Sequence, residues 1–232
     1  MKIHGLNKLT LLDYPGHTAC TVFCGHCNLR CPFCHNAELV LNPDSQPLIA
    51  EDEVIAHLKK RAGVLEGVAI TGGEPTLYKD LPDFIRRIKA ETGVRVKLDT
   101  NGTNPEMVKA LIEENLVDYI AMDVKDSLPR YAVTVGVKNF DTASVEASVK
   151  LIMGSGIDYE FRTTAVGGIH DNESFKGIGE WIKGAKAYFI QQYKDSGDLI
   201  APEGLYSPSA EDMAGFRETV LPYVPVAQAR GV

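Results

Sequence analysis

Cys27, Cys31 and Cys34 lie in one short segment near the start of the chain, with the spacing C-x3-C-x2-C. Thiolates so close in sequence can converge on one inorganic centre without long-range folding. Iron–sulfur clusters usually take four cysteine ligands, so a set of three leaves one iron open to an outside ligand. A structural zinc site is the alternative, with its fourth ligand taken from a neighbouring side chain. The candidates for that ligand are Cys20, Cys24, His26 and His35.

All five cysteines lie between residues 20 and 34 of the 232-residue chain. A disulfide framework pins distant parts of a chain together, so this crowding indicates metal ligation in a reducing compartment. Cys20 and Cys24 lie outside the spaced triplet. We interpret both as packing residues or incidental thiols.

The composition is that of an ordinary globular protein, with 44% hydrophobic and 24% charged residues. We expect residues 1–232 to form a single domain around one core. The net charge of -7 argues against a nucleic-acid partner, because such binding is driven by clustered Lys and Arg. No signal peptide and no apolar run near the ~20 residues that span a bilayer are visible, so we expect a cytoplasmic protein without membrane contact.

Strand-like and helix-like patterns alternate after the cysteine segment. We predict six strands joined by helices, beginning with HTACTVF, and a last helix at about 209–221. Strict alternation indicates a parallel α/β sheet covered by helices, because parallel neighbours need crossover connections. Six units are too few for the closed eight-stranded barrel, which leaves an open partial barrel or a doubly wound sheet.

The remaining polar motifs come at the ends of the predicted strands. GGEP follows strand two, DTNG follows strand three and DVK ends strand four, while Arg162 lies in strand five and Gln192 ends strand six. The carboxyl ends of parallel strands share one face, and that face carries the site. We therefore predict that these motifs and the cluster loop, residues 24–36, form one pocket.

Gly72, Gly73 and Glu74 make up the GGE motif. Glycines here would let the backbone approach a ligand that any Cβ would block, and Glu74 can accept a hydrogen bond from an ammonium group. An ordinary strand-ending turn would have a similar sequence. The interpretation of GGE as a ligand-binding segment therefore depends on its position after strand two.

The DTNG and DVK motifs each have a structural and a functional interpretation. Asp99 and Asn101 belong to DTNG, which could be only a turn into a helix. Asp123 and Lys125 belong to DVK and point to one face of the sheet, because side chains alternate along a strand. They form either a surface ion pair or part of a ligand site.

CNLRCPFC, with an aromatic residue before its last cysteine, resembles the signature loop of the radical S-adenosylmethionine superfamily. The resemblance implies a [4Fe-4S] cluster on Cys27, Cys31 and Cys34. Its open iron would bind the amino and carboxylate groups of S-adenosylmethionine, which is split into methionine and a 5'-deoxyadenosyl radical. It also implies a single-domain partial (β/α)6 barrel with parallel strands, open at one side.

The resemblance also implies roles for the other motif residues. Phe33 and His35 would lie near the adenine, and the GGE segment would bind the methionine amino group. In similar activating enzymes the aspartate of a DTNG-like turn and that of DVK share a monovalent cation. The implied S-adenosylmethionine-binding residues are Phe33, His35, Gly72, Gly73, Glu74, Asp99, Asn101, Asp123, Lys125, Arg162 and Gln192.

Three positions near the strand ends carry open expectations. Arg162 lies in an otherwise apolar strand, where an unpaired guanidinium would be costly, so its partner should be Glu160 or the methionine carboxylate. Gln192 or Tyr193 stands where relatives have a histidine near the ribose, and this chain lacks that histidine. We expect His170 to be a solvated loop residue.

The run GLNKLTLLDYPGHTACTVFCGHCNLRCPFCHNAELV resembles the anaerobic ribonucleoside-triphosphate reductase activating proteins, and the resemblance continues through GGEP, DTNG, MDVK and FRTTAV. It implies abstraction of a glycine Cα hydrogen from a partner reductase, with reduced flavodoxin or ferredoxin as electron donor. An activator of pyruvate formate-lyase or another glycyl-radical enzyme is the alternative. A non-enzymatic zinc-binding interaction module is the remote one.

Overall fold

The computed structural model describes residues 1–195 and 197–231, and alternating strands and helices make up most of this part. The strands are β1 Ile3–Thr10, β2 Ala19–Cys24, β3 Gly67–Gly72, β4 Arg95–Thr100, β5 Tyr119–Asp123, β6 Asp158–Ala165, β7 Tyr188–Gln192 and β8 Ala227–Arg230. The helices are α1 Ala37–Leu41, α2 Glu51–Lys60, α3 Leu81–Thr92, α4 Pro105–Glu113, α5 Tyr131–Thr134, α6 Ala143–Gly154, α7 Asn172–Trp181 and α8 Ala210–Val220.

The strands form one sheet in the order of the chain, from β1 to β8. β1 runs antiparallel to β2, whereas every later neighbour pair is parallel. Among the described residues β1 and β8 do not pair with each other, so the sheet is open. The predicted α/β fold, an open partial barrel of parallel strands, is confirmed, and the doubly wound alternative is wrong.

Two strands were missing from the prediction. The six predicted strands correspond to β2 through β7, and the sheet adds β1 and β8 at its edges. Much of β1 is exposed and its pairing with β2 is irregular, so it lacks a regular apolar alternation. β8 is only four residues long, too short for any periodicity to register.

The helices bury one face against the sheet, and α3 illustrates how its sequence achieves this. Its buried residues recur at the spacing of a single helix face and are Leu81, Phe84, Ile85 and Ile88. Burying each such side chain contributes about 1.5–3 kcal/mol. Gly93, with φ of 69°, ends the helix in a conformation that glycine adopts without strain.

The last helix, predicted at about 209–221, is confirmed as α8, and the Ser209 side chain caps its first turn. None of the helices within the described residues is both long enough and apolar enough to cross a membrane.

Candidate functional site

The three spaced cysteines meet at one cavity of about 170 Å³ at the carboxyl ends of β2 to β5. Cys31 is buried, while Cys27 and Cys34 are partly exposed. Burial raises the pKa of Cys31 to about 12 and that of Cys27 to about 11. Predicted site residues that line this cavity with them are Phe33, His35, Gly72, Gly73, Glu74, Asp99, Asn101, Asp123 and Lys125.

The GGE glycines let β3 approach the backbone of the cluster loop. A Cβ on Gly73 would lie 1.8 Å from the carbonyl oxygen of His26, and one on Gly72 would lie 2.3 Å from that of Cys24. The Gly73 N–H donates to the Cys24 carbonyl at 2.8 Å, and the Glu74 N–H donates to the His26 carbonyl at 2.7 Å. The close approach seen here is thus between two parts of the chain, and a ligand contact for these glycines stays a prediction.

The Glu74 carboxylate is buried and ties the GGE motif to the DTNG turn. Its Oε1 accepts from the Thr76 N–H at 3.1 Å, from the Thr76 hydroxyl at 2.6 Å and from the Thr100 hydroxyl at 2.7 Å. Its Oε2 accepts from the Asn101 N–H at 2.7 Å. Burial raises the pKa of Glu74 despite these donors. The carboxylate therefore braces two loops at the cavity wall.

The DTNG turn reaches back to the first cysteine. The Asn101 side-chain amide lies 3.7 Å from the Cys27 Sγ and donates to Asn28 at 3.0 Å. The Leu29 N–H also points at the Cys27 Sγ, at 3.4 Å. These two donors would stabilise a negatively charged sulfur, because charge-assisted hydrogen bonds are stronger than neutral ones.

Asp99 and Asp123 are bridged by the guanidinium of Arg162. Its Nε donates to Asp123 at 3.0 Å and its Nη1 donates to Asp99 at 3.2 Å. Lys125 donates to the second oxygen of Asp123 at 2.9 Å, and Lys97 to the second oxygen of Asp99. Burial favours the neutral carboxyl of Asp123, but the charges of Arg162 and Lys125 outweigh it and lower the pKa to about 2.

Arg162 has closer protein partners than the glutamate expected, while the methionine carboxylate stays a prediction. Glu160 was named as a protein partner, yet its nearest carboxylate oxygen is 3.9 Å from the guanidinium. The two aspartates lie closer, and Glu160 instead accepts from Arg230 at 3.3 Å and from the Tyr119 hydroxyl at 3.2 Å. The sequence had placed Asp99 and Asp123 in the same pocket without indicating that one arginine reaches both.

Aromatic side chains cover the remaining wall of the cavity. The rings of His35 and Tyr193 stack with centroids 5.8 Å apart. Phe33 is buried and its ring meets that of His170 edge-on at 6.2 Å. Gln192 does not join this group, because it lines a separate cavity and donates to the Pro208 carbonyl at 2.8 Å.

His170 is buried, so the expectation of a solvated loop residue was wrong. Its Nδ1 accepts from the Val166 N–H at 3.0 Å and its Nε2 lies 2.8 Å from the Lys125 carbonyl oxygen. Burial lowers the pKa of His170, which keeps the ring neutral. The His170 ring thus supports the DVK segment and Phe33. Its neighbours in the sequence, Ile169 and Asp171, gave no indication of this role.

The cavity fits the cluster that three cysteines predict. Within residues 1–195 and 197–231, no group of three His, Cys, Asp or Glu side chains is close enough to hold one metal ion. A cubane spreads its thiolate ligands over different iron atoms, so it requires cysteines around a common cavity rather than a single point. Cys27, Cys31 and Cys34 meet that requirement.

A second cavity of about 650 Å³ is lined by residues of β4, β6, β7 and β8 and by the turn between β1 and β2. The strands contribute charged and amide side chains to its lining. The turn between β1 and β2 forms most of the rest, which we call the rim. On that turn Leu11 and Leu12 are 70% and 88% exposed. Arg162 lines this cavity and not the first one, but it bonds Asp99 and Asp123, which line the first, so these ion pairs lie between the two cavities.

The sequence model of the radical SAM superfamily matches residues 21–182 of this chain. A Methanocaldococcus jannaschii protein, provisionally named as a glycyl-radical enzyme activating enzyme, is 33% identical over 195 residues, which are 83% of this chain and 80% of that protein. A 7-carboxy-7-deazaguanine synthase from Koribacter versatilis is 31% identical over 58% of this chain and 56% of that enzyme.

Solved structures share the fold. A domain of pyruvate-formate lyase-activating enzyme from Bacteroides vulgatus superposes with a TM-score of 0.58 at 19% identity, covering 71% of this chain and 99% of that one. SuiB of Streptococcus suis, bound to its precursor peptide SuiA, superposes with a TM-score of 0.69 at 17% identity, covering 91% of this chain and 48% of that one. The chain therefore belongs to the radical SAM superfamily and is an enzyme homologous to glycyl-radical enzyme activating enzymes.

Proposed function

We propose that the chain is an activase that abstracts a glycine Cα hydrogen from a partner protein. One observation carries this proposal. The three spaced cysteines and the cation Lys125 line one cavity, and Arg162 lies next to it, bonded to the same aspartate as Lys125. When bound, a [4Fe-4S] cluster supplies the electron that splits S-adenosylmethionine into methionine and a 5'-deoxyadenosyl radical. The chain's own residues hold, orient and shield the reactants.

The charge balance beside the cysteines suits the carboxylate of the methionine moiety. Lys97, Lys125 and Arg162 contribute three positive charges, whereas Asp99 and Asp123 contribute two negative ones. The Glu160 carboxylate, 3.9 Å from the Arg162 guanidinium, is itself paired with Arg230 and adds no net charge, so one positive charge is left over in a site where solvent screening is weak. Lys125 lines the cysteine cavity, so we assign the methionine carboxylate to this residue. Arg162 lies farther from the cavity and shares Asp123 with Lys125.

The aromatic wall suits the adenine. Phe33 and His35 flank Cys34 in the sequence and line the same cavity, and Tyr193 stacks on His35. A flat purine ring can stack on such side chains with little loss of side-chain entropy. We assign Phe33 and His35 to this contact. Gln192, which lines the second cavity, is the weaker candidate for the ribose.

The side opening suits the entry of a partner's loop. The second cavity is lined by the turn between β1 and β2, by β8 and by Arg162, whose guanidinium bonds Asp99 and Asp123 of the cysteine cavity. Leu11 and Leu12 at the rim expose apolar surface that a partner would cover. A loop that reached the cysteine cavity between the unpaired edge strands would exclude water from the radical and so protect it from side reactions.

The partner we infer is the anaerobic ribonucleoside-triphosphate reductase, because the N-terminal run and the motifs most resemble activating proteins of that class. A reduced flavodoxin or ferredoxin is the electron donor we infer with it. Pyruvate formate-lyase is the alternative partner. A domain of its activating enzyme shares the fold of this chain.

The deciding experiment is anaerobic electron paramagnetic resonance of the reduced protein with S-adenosylmethionine and the reductase of the same organism. A glycyl-radical doublet that requires S-adenosylmethionine supports both the activase and the partner. A cluster signal without a doublet points to another glycyl-radical enzyme, tested next with pyruvate formate-lyase. Zinc without iron and sulfide in anaerobically prepared protein would instead support the zinc-binding module.

Two cysteine variants test the ligand assignment. Cys31→Ala should prevent assembly of the intact cluster and abolish S-adenosylmethionine cleavage, because one of the three cluster thiolates is lost. Cys24→Ala is the matched control, since Cys24 is a buried cysteine on β2 that does not line the cysteine cavity. Iron and sulfide content and methionine release are measured for both. Normal turnover by Cys31→Ala would overturn the assignment.

A further inference from the structure

The Asp99 and Asp123 pair has the composition of a monovalent-cation site, but each of its carboxylate oxygens already has a cationic partner. On Asp99 the donors are Lys97 and Arg162, and on Asp123 they are Arg162 and Lys125. A sodium or potassium ion that used the remaining lone pairs of these oxygens would lie beside the ammonium and guanidinium groups, whose positive charges repel it.

The charge balance points the same way. The five side chains already carry one more positive than negative charge. Another cation would raise that excess, whereas a ligand carboxylate would neutralise it. The side chains are between 1% and 29% exposed, so solvent screens this imbalance only weakly.

Lys97 is the unusual member of the group. Its side chain is 1% exposed and its ammonium bonds Asp99, two residues along the same strand. A buried lysine is costly unless it is paired, so this ammonium has a fixed place beside the carboxylate. It is also compact and carries one positive charge, like the monovalent ion that the sequence motifs imply.

We propose that the Lys97 ammonium takes the place of a monovalent metal cation, so that S-adenosylmethionine binding in this enzyme needs no sodium or potassium. The proposal rests on the proposed function, because it treats the ligand as S-adenosylmethionine. Lys97 acts as a positioning residue. It neutralises one charge of Asp99, which leaves Arg162 and Lys125 able to receive the methionine carboxylate.

The test measures the dissociation constant of S-adenosylmethionine for the anaerobically reconstituted protein in sodium, potassium or tetramethylammonium chloride at equal ionic strength. Tetramethylammonium is too large for a carboxylate-lined ion site. We expect the wild-type constant to agree within about twofold in the three salts. A constant that is about tenfold lower in sodium or potassium would overturn the proposal.

Lys97→Met removes the charge and keeps most of the apolar stem. In tetramethylammonium it should bind S-adenosylmethionine about tenfold more weakly than the wild type, because Asp99 loses one charge-assisted partner. Sodium or potassium should restore part of the loss, and Lys97→Arg should remain indifferent to the salt. Lys89→Met removes another Lys–Asp pair, with Asp118 at 2.9 Å, and should behave like the wild type. A Lys97→Met protein that binds equally well in all salts would contradict the proposal.

A second readout works without the ligand. The thermal unfolding midpoint of the wild type should be the same in the three salts, whereas that of Lys97→Met should be higher in sodium or potassium than in tetramethylammonium. A wild-type midpoint raised specifically by sodium or potassium would overturn the internal-cation proposal. A failure to bind S-adenosylmethionine in any salt would instead count against the proposed function, and the unfolding data would still decide the role of Lys97.

Discussion

Replacing Glu74 with glutamine tests whether this residue braces the site or binds the ligand. The carboxylate accepts four hydrogen bonds, three on Oε1 and one on Oε2. A glutamine can keep its oxygen toward the three donors, but its amide nitrogen then faces the N–H of Asn101. Two donors would stand about 2.7 Å apart with no acceptor between them.

The expected cost follows from that single mismatch. A hydrogen bond to a charged group contributes about 1.5–3 kcal/mol, and a buried donor left unsatisfied costs about 1–3 kcal/mol. These figures describe the same lost contact, so we expect Glu74→Gln to lower the free energy of unfolding by about 2–3 kcal/mol. The dissociation constant of S-adenosylmethionine should rise by less than about tenfold, because the variant moves the loops without removing a ligand contact.

Urea denaturation of the cluster-free protein under anaerobic conditions measures the first quantity, and titration of the reconstituted protein measures the second. Glu91→Gln is the control: Glu91 pairs with Lys59 and Arg87 on the protein surface, where solvent screens such pairs, so its loss should leave the free energy of unfolding almost unchanged. Unchanged stability of Glu74→Gln, together with a loss of S-adenosylmethionine affinity well above tenfold, would refute the reasoning. That outcome would make Glu74 the partner of the methionine amino group.

Two further predictions concern the loop and the pH dependence of stability. Gly73→Ala should greatly reduce iron incorporation on reconstitution, because its Cβ would lie 1.8 Å from the His26 carbonyl oxygen, whereas Gly154→Ala, with nothing within 4 Å, should reconstitute normally. Stability should fall as the pH drops below about 6.5, since the unfolded chain protonates a histidine that the fold keeps neutral. His170→Gln should flatten this slope in urea titrations at several pH values, and an unchanged slope would exclude His170 as the group.

The sequence predicted the fold well wherever a local pattern is compatible with only one arrangement of the chain. Strands β2 to β7 alternate with helices, and alternation alone requires parallel pairing through crossovers. Parallel pairing then places every strand end on one face, so the cysteines, GGE, DTNG and DVK had to come together. The cavity lining confirms that convergence, while the binding roles of these residues stay predictions.

The sequence was less informative about which side chains contact one another. Lys97 and His170 belong to none of the motifs. The contact of Lys97 depends on its place in β4, and that of His170 depends on the loop that follows β6. Glu74 was recognisable as important, but two of its four donors, the Thr100 hydroxyl and the Asn101 N–H, come from the end of the next strand. Such contacts are fixed by packing at a scale of a few tenths of an ångström, which residue type and spacing do not encode.

The open side of the barrel also has a bearing on self-association. An open sheet has two edges with unpaired backbone groups, and such edges can template pairing with another copy of the chain. Here β1 breaks its register with β2 between Ile3 and Gly5 and again between Asn7 and Thr10, while β8 offers only Ala227–Arg230. One edge is irregular and the other short, and both features discourage strand addition. The sheet can thus stay open between β1 and β8 without inviting fibre-like stacking.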